Sequence, residues 1–150
     1  MGGLRHHDRK RLCYFIDKGN ADSFFEQLEK LNEFVKQEWM MQGNRAELYE
    51  RIGTRVLIIL DNASFHKRQD VLEKIERLMP NIPLGFLPAY SPDFNLVELV
   101  WHSCKEFIAH RLFQSVQELK ELLKNLLNNG DLLINWNRKV RNKGNKVVVN

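Results

Sequence analysis

Apolar side chains recur every three or four positions through several stretches of the chain and run unbroken through three short ones. Phe24, Phe25, Leu28, Leu31, Phe34 and Val35 repeat at helical spacing, which predicts an amphipathic helix over 23–38 opened by Asp22 or Ser23. Val71, Leu72, Ile75 and Leu78 predict a helix over 67–79, ended by Pro80-Asn81-Ile82-Pro83. A third helix is expected over 96–110. Ser115-Val116-Gln117-Glu118 has the spacing of a capping box and opens a fourth helix to about Leu127, which Asn128-Asn129-Gly130 stops.

The unbroken runs read as strands. Leu12–Ile16 is one, closed by Lys18-Gly19-Asn20, and Leu84–Leu87 is another. Val56–Leu60 is the clearest, apolar throughout and β-branched at Val56, Ile58 and Ile59. A strand apolar on both faces is expected at the centre of a sheet with helices on both sides. Residues 1–11 are polar and basic and predict no strand. Met40, Met41, Gly43 and Asn44 break the pattern over 39–54, where a loop is expected. The order strand, helix, strand, helix, strand, helix, helix argues for an α/β fold.

The chain has 150 residues, enough for one domain with a sizeable core. Its net charge of +4, from 23 Lys and Arg against 19 Asp and Glu, permits a nucleic-acid partner without requiring one. Cys13 and Cys104 are too few for a disulfide framework or a zinc site, so a reducing cytoplasm is the simpler expectation. No apolar run approaches the roughly 20 residues that span a bilayer. The tail from Asn137 carries Arg138, Lys139, Arg141, Lys143 and Lys146 with no acidic residue as far as Lys146.

Candidate chemistry lies in two segments. Asp61 directly follows the apolar strand, where ligands of open α/β sheets collect. It either enters such a crevice or caps the loop that follows. Glu98 stands three residues after Asn95, so it either closes a capping box or presents a carboxylate to a metal from the first turn of a helix. Trp101 and Lys105 follow Glu98 at i+3 and i+7 and share its face. Trp101 suits core packing or base stacking, and Lys105 suits phosphate or solvent. His66 is a secondary candidate, and His102 reads as a helix-surface partner. No Gly-x-x-x-x-Gly-Lys-Ser/Thr loop and no Gly-x-Ser-x-Gly elbow occurs, which argues against a P-loop nucleotidase and a serine hydrolase.

Together these residues resemble the catalytic core of bacterial insertion-sequence transposases of the mariner superfamily, the DDE superfamily endonuclease domain. The resemblance rests on Asp61, Asn62 and His66, and on Leu87, Pro88, Tyr90, Ser91, Pro92, Asn95, Glu98, Trp101 and Lys105. It covers about residues 55–110 and extends to the strand and helix of Leu12–Leu31. It implies a ribonuclease-H-like α/β fold and a triad of two Asp and one Glu holding two Mg²⁺ ions, with Mn²⁺ as a substitute. Asp61 would be the second acid of the triad and Glu98 the third, each a catalytic metal ligand. Asn62, His66, Tyr90, Asn95, Trp101 and Lys105 would support them or touch nucleic acid. The implied chemistry is cleavage at transposon ends followed by strand transfer to target DNA.

One departure from the family pattern carries weight. The first acid belongs on an early strand, yet Asp17 follows a segment that matches a later strand, and Asp8 lies in a polar stretch. The expectation is therefore an N-terminally truncated core, residues 1–136, with its first strands and first catalytic Asp missing, followed by a basic tail over 137–150. Such a chain is expected to be inactive and poorly stable alone. The alternatives are a subunit that completes its site with a separately encoded N-terminal half or a second protomer, and a non-catalytic nucleic-acid-binding remnant.

Overall fold

A computed structural model describes residues 1–88 and 95–137. They divide into two compact units, one of Met1 and Ile16–Ala89 and the other of Gly2–Phe15 and Tyr90–Asn150. The architecture is α/β, with five α-helices and two small sheets among the described residues. None of the helices is long and apolar enough to cross a membrane.

In the first unit α1 spans Ala21–Met41. It starts earlier than the periodicity suggests, because Asn20 is its cap: the Asn20 Oδ1 accepts from the Ser23 N–H at 2.8 Å. Ser23 is thus capped rather than capping. The helix also outruns its predicted end, stopping only near Gly43, whose φ of +87° suits glycine. Beyond it, the expected loop is replaced by a 3-10 turn at Ala46–Leu48 and by α2, Tyr49–Ile52. Tertiary packing explains this. Tyr49 is buried with its ring centroid 5.9 Å from that of Trp39, and its hydroxyl donates to Asn32 Oδ1 at 3.1 Å.

The strand β3 (Ile58–Leu60) pairs in parallel with β4 (Leu84–Phe86), Ile59 opposite Gly85. The crossover between them carries α3, Gln69–Leu78. Val71, Ile75, Met79 and Ile82 pack with Phe24, Leu28 and Leu60 into one core. Asn81 is buried and joins α2 to the sheet: its amide donates to the Tyr49 carbonyl, and its own carbonyl accepts from the Val56 N–H at 2.8 Å. The expectation of a strand covered on both faces fails. Leu57 and Ile59 are 59% and 54% exposed, because the described helices of this unit pack on the Leu60 side only.

In the second unit β1 (Gly2–Leu4) pairs antiparallel with β2 (Arg11–Cys13). The first strand was not expected at all, and the second is earlier and shorter than Leu12–Ile16. Asp8 lies in the connecting turn. Its carboxylate takes a 2.6 Å contact from Arg5 and accepts from the Lys10 N–H at 3.0 Å, which holds its pKa well below the usual carboxylate range. It serves the hairpin. Helices α4 (Val97–Ile108) and α5 (Val116–Asn128) complete the unit. The Asn128 side chain clamps β2 to the end of α5, accepting from the Cys13 N–H at 2.7 Å and donating to the Cys13 carbonyl at 3.3 Å. Ser115 caps α5 as its sequence predicts, its Oγ accepting from the Glu118 N–H, and Glu118 returns the favour one residue early by accepting from the Gln114 N–H.

Cys13 and Cys104 are free and buried in the core of this unit, and burial pushes both thiols up from the ordinary 9.0. A raised thiol pKa contributes stability that is complete below the unfolded value and is lost as pH rises through the folded one. Both thiols should therefore resist an aromatic disulfide reagent at pH 8 and react fast once denaturant is added. Equal rates with and without denaturant would show that this core does not form.

Candidate active site

Asp61 sits immediately after β3, at its carboxyl end, and its side chain is 56% exposed. The Oδ1 accepts from the Ala63 N–H at 3.1 Å, a local turn that fixes the carboxylate where the strand delivers it. The loop-capping reading of Asp61 is met by Oδ1, while Oδ2 has no hydrogen-bond partner among the described residues. The 3-10 turn Ser64–Lys67 that follows brings His66 back toward Asp61, with Nδ1 2.9 Å from Oδ1. The ring nitrogen makes no formed hydrogen bond with the oxygen, so the contact is a close approach only. His66 is buried, 4.5 Å from the Phe24 ring and 4.3 Å from the Phe65 ring between centroids.

Asn62 makes a bond that ties down the loop carrying Asp61. Its side-chain amide donates to the Leu87 carbonyl at 2.7 Å. It thereby ties the loop after β3 to the segment after β4, joining the first signature motif to the beginning of the second. Nothing in the sequence announces this bond, which spans 25 positions. Asn62→Ala should cost about 1 kcal/mol, the net worth of such a bond. Urea denaturation would read this as a lower midpoint at unchanged slope, and an unchanged midpoint would mean the bond is not formed in solution.

In the second unit Glu98 lies in the first turn of α4, half-buried. The capping box expected with Asn95 is absent. Leu96 occupies the cap position without a side-chain bond, and the Glu98 N–H donates to the Asn95 backbone carbonyl at 2.9 Å. The carboxylate therefore has no capping role and no hydrogen-bond partner among the described residues. Trp101 and Lys105 share its face as the spacing predicts: all three line one cavity of about 430 Å³. Cys13 and Phe15, contributed by β2 and the segment after it, line the same cavity. Phe15 escaped the sequence reading, and its only signal was an aromatic residue left exposed beyond a strand. His102 pairs with Glu106 at 3.0 Å along the helix surface, as expected. Tyr90, with the rest of 89–94, and the basic residues beyond Asn137 lie outside the described residues.

Asp61, Asn62 and His66 thus come together in one unit, and Glu98, Trp101 and Lys105 in the other. Among the described residues no three His, Cys, Asp or Glu side chains converge as a metal site. The donor set nonetheless fits a hard divalent cation: both candidate ligands are carboxylates, and each keeps oxygen free of donors among the described residues.

Comparison with known proteins points the same way. Residues 1–120 match the sequence pattern of the DDE superfamily endonuclease. A relative from Sinorhizobium fredii (strain NBRC 101917 / NGR234), the uncharacterized protein y4pE/y4sA, is 33% identical over 82 residues, covering 53% of this chain and 57% of its own length. The crystal structure of the catalytic domain of Mos1 mariner transposase superposes on 78% of this chain with a TM-score of 0.57 at 24% identity. That alignment takes in 54% of the Mos1 chain, so this chain spans a little over half the length of either protein. A match over four-fifths of the sequence, on an α/β scaffold that puts an Asp after a strand and a Glu at a helix start, establishes that the chain belongs to the DDE superfamily endonucleases and shares the fold of a mariner transposase catalytic domain.

Proposed function

We infer that this chain supplies two of the three acids of a transposase active site that cleaves DNA at transposon ends and joins the cut ends to target DNA. The observation that carries the reading is the state of its two signature carboxylates. Asp61 is delivered by a strand end and Glu98 by a helix start, and each keeps oxygen free for a cation. Asp61 and Glu98 would hold Mg²⁺, or Mn²⁺ in its place. Bound there, the ions would activate the attacking oxygen and stabilise the leaving one. The chain's own contribution is positional. The Asp61–Ala63 turn fixes one carboxylate, Asn62 locks the loop that carries it, and α4 points the other from its first turn.

This reading assigns no residue of the chain as the first acid of the triad and makes the chain inactive by itself. A companion segment, encoded separately or contributed by a second protomer, would complete the site. The exposed apolar face of β3 favours this over a solitary remnant, because a parallel pair with an uncovered face is the place where further structure belongs. The test is to incubate the chain with supercoiled DNA bearing the element's ends and Mg²⁺, alone and with the product of the upstream reading frame. Cleavage is expected only with both. Cleavage by the chain alone would refute the incomplete site, and none under either condition would refute the completing role.

A further inference from the structure

The cavity beside Glu98 is shaped for more than packing. It is about 430 Å³, within the range of small-molecule sites, and its walls are Phe15, Trp101, Ile108 and the α5 leucines Leu123 and Leu127, with Cys13 and Cys104 at its floor. Its polar side-chain groups beyond those thiols are the Glu98 carboxylate, the Lys105 ammonium and the Trp101 indole N–H. Phe15 is 44% exposed, a large aromatic surface left in contact with water. The Lys120 ammonium lies 5.9 Å from its ring centroid. Trp101 is fixed in place, because its ring edge lies against Gly2: a Cβ on that glycine would come within 2.5 Å of the indole. An indole, an accessible phenyl ring and one lysine line an apolar hollow that also carries a candidate metal ligand, and a second lysine stands beside the phenyl ring.

We propose that this cavity receives one unstacked base of single-stranded DNA. Phe15 is the stacking platform, Trp101 the wall, and Lys105 and Lys120 the contacts for the flanking phosphates. The charge pattern selects the occupant. An apolar ligand would gain nothing from the two ammonium groups, whereas a nucleotide has a π-face for the rings and a phosphate for the lysines. With so few polar groups in the wall, the pocket holds a base without reading which base it is. The inference rests on the reading of Glu98 as a metal ligand, since a base seated here brings its own phosphodiester beside that carboxylate.

The test uses the full chain in EDTA, so that no step depends on metal or on cleavage. A 12-nucleotide single strand carrying one 5-iododeoxyuridine is irradiated with the protein, and the crosslinked residue is identified by mass spectrometry. Crosslinks at Phe15 or Trp101 are expected. Phe15→Ala should weaken binding about fivefold or more, the lower end for loss of one base–aromatic stack, and Phe15→Tyr should restore it. A 12-nucleotide strand that is abasic at every position should bind as weakly as the intact strand binds Phe15→Ala. Crosslinks confined to other residues, or equal binding of the abasic strand, would overturn the proposal even if the assembled enzyme cleaves DNA. Crosslinks at Phe15 with no cleavage by any assembly would leave the pocket standing and remove the transposase reading instead.

Discussion

On the proposed function, Asp61→Asn and Glu98→Gln should each lower DNA cleavage by the completed assembly about a thousandfold or more, while leaving the fold intact. The size follows from the several kcal/mol of charge stabilisation that a bound ion supplies, at 1.36 kcal/mol per factor of ten. The choice of amide variants follows from the structure. Asp61 also holds its own loop by accepting from the Ala63 N–H, so Asp61→Ala would mix a broken turn with a lost ligand. An asparagine oxygen accepts the same bond without the charge. Glu98 has no such second duty, since the α4 cap is made by backbone alone, so Glu98→Gln and Glu98→Ala should behave alike. Rates are read from nicked and linearised plasmid at several Mg²⁺ concentrations. Circular dichroism confirms that the variants fold. Wild-type cleavage by Asp61→Asn would leave the carboxylate a turn-former only, and Mg²⁺ would then have to be held elsewhere.

The parts of this site that the sequence revealed are those set by local rules. Ser115 caps α5 because a cap needs only three residues of spacing. Glu98, Trp101 and Lys105 share a face because a helix repeats every 3.6 residues, and they line one cavity as that geometry demands. The order of α1, β3, α3, β4, α4 and α5 likewise followed from periodicity, with ends off by a few residues. What stayed hidden depends on partners far along the chain. Gly2-Gly3-Leu4 has no strand signal of its own, and its pairing is imposed by β2 and by Trp101 seated over Gly2. Tyr49 turns an expected loop into a helix because Trp39 and Asn32 are there to receive it. Asn62 reads as a candidate contact to nucleic acid, yet its amide is spent on Leu87. The Asn95–Glu98 spacing had the form of a capping box, and only the structure separates the form from the fact.

Purified without a companion, the chain self-associates, and polar substitutions on one face of β3 relieve it. Leu57 and Ile59 point away from the core formed by Leu60, Phe24 and Ile75, and both stand more than half exposed. Opposite Ile59 is Gly85, which has no side chain to cover it; a Cβ there would already lie 3.1 Å from the Ile59 Cδ1. A two-stranded sheet is marginal unless something packs on it, and this pair has its one core on one side only. An apolar face next to an open strand edge is a template for further pairing. Leu57→Thr with Ile59→Thr keeps β-branched, strand-forming residues while making the face polar, and neither side chain belongs to the core. The double variant should shift the elution and light scattering of the chain from large assemblies toward a monomer. Leu28→Ala, at a side chain with 0% exposure, should instead lower stability by about 2–5 kcal/mol and worsen assembly. A wild-type chain that elutes as a monomer at tens of micromolar (roughly the range where exposed apolar surface drives aggregation) and melts in one cooperative transition would defeat the prediction. The face would then need no covering structure, and the proposed companion half would lose this support.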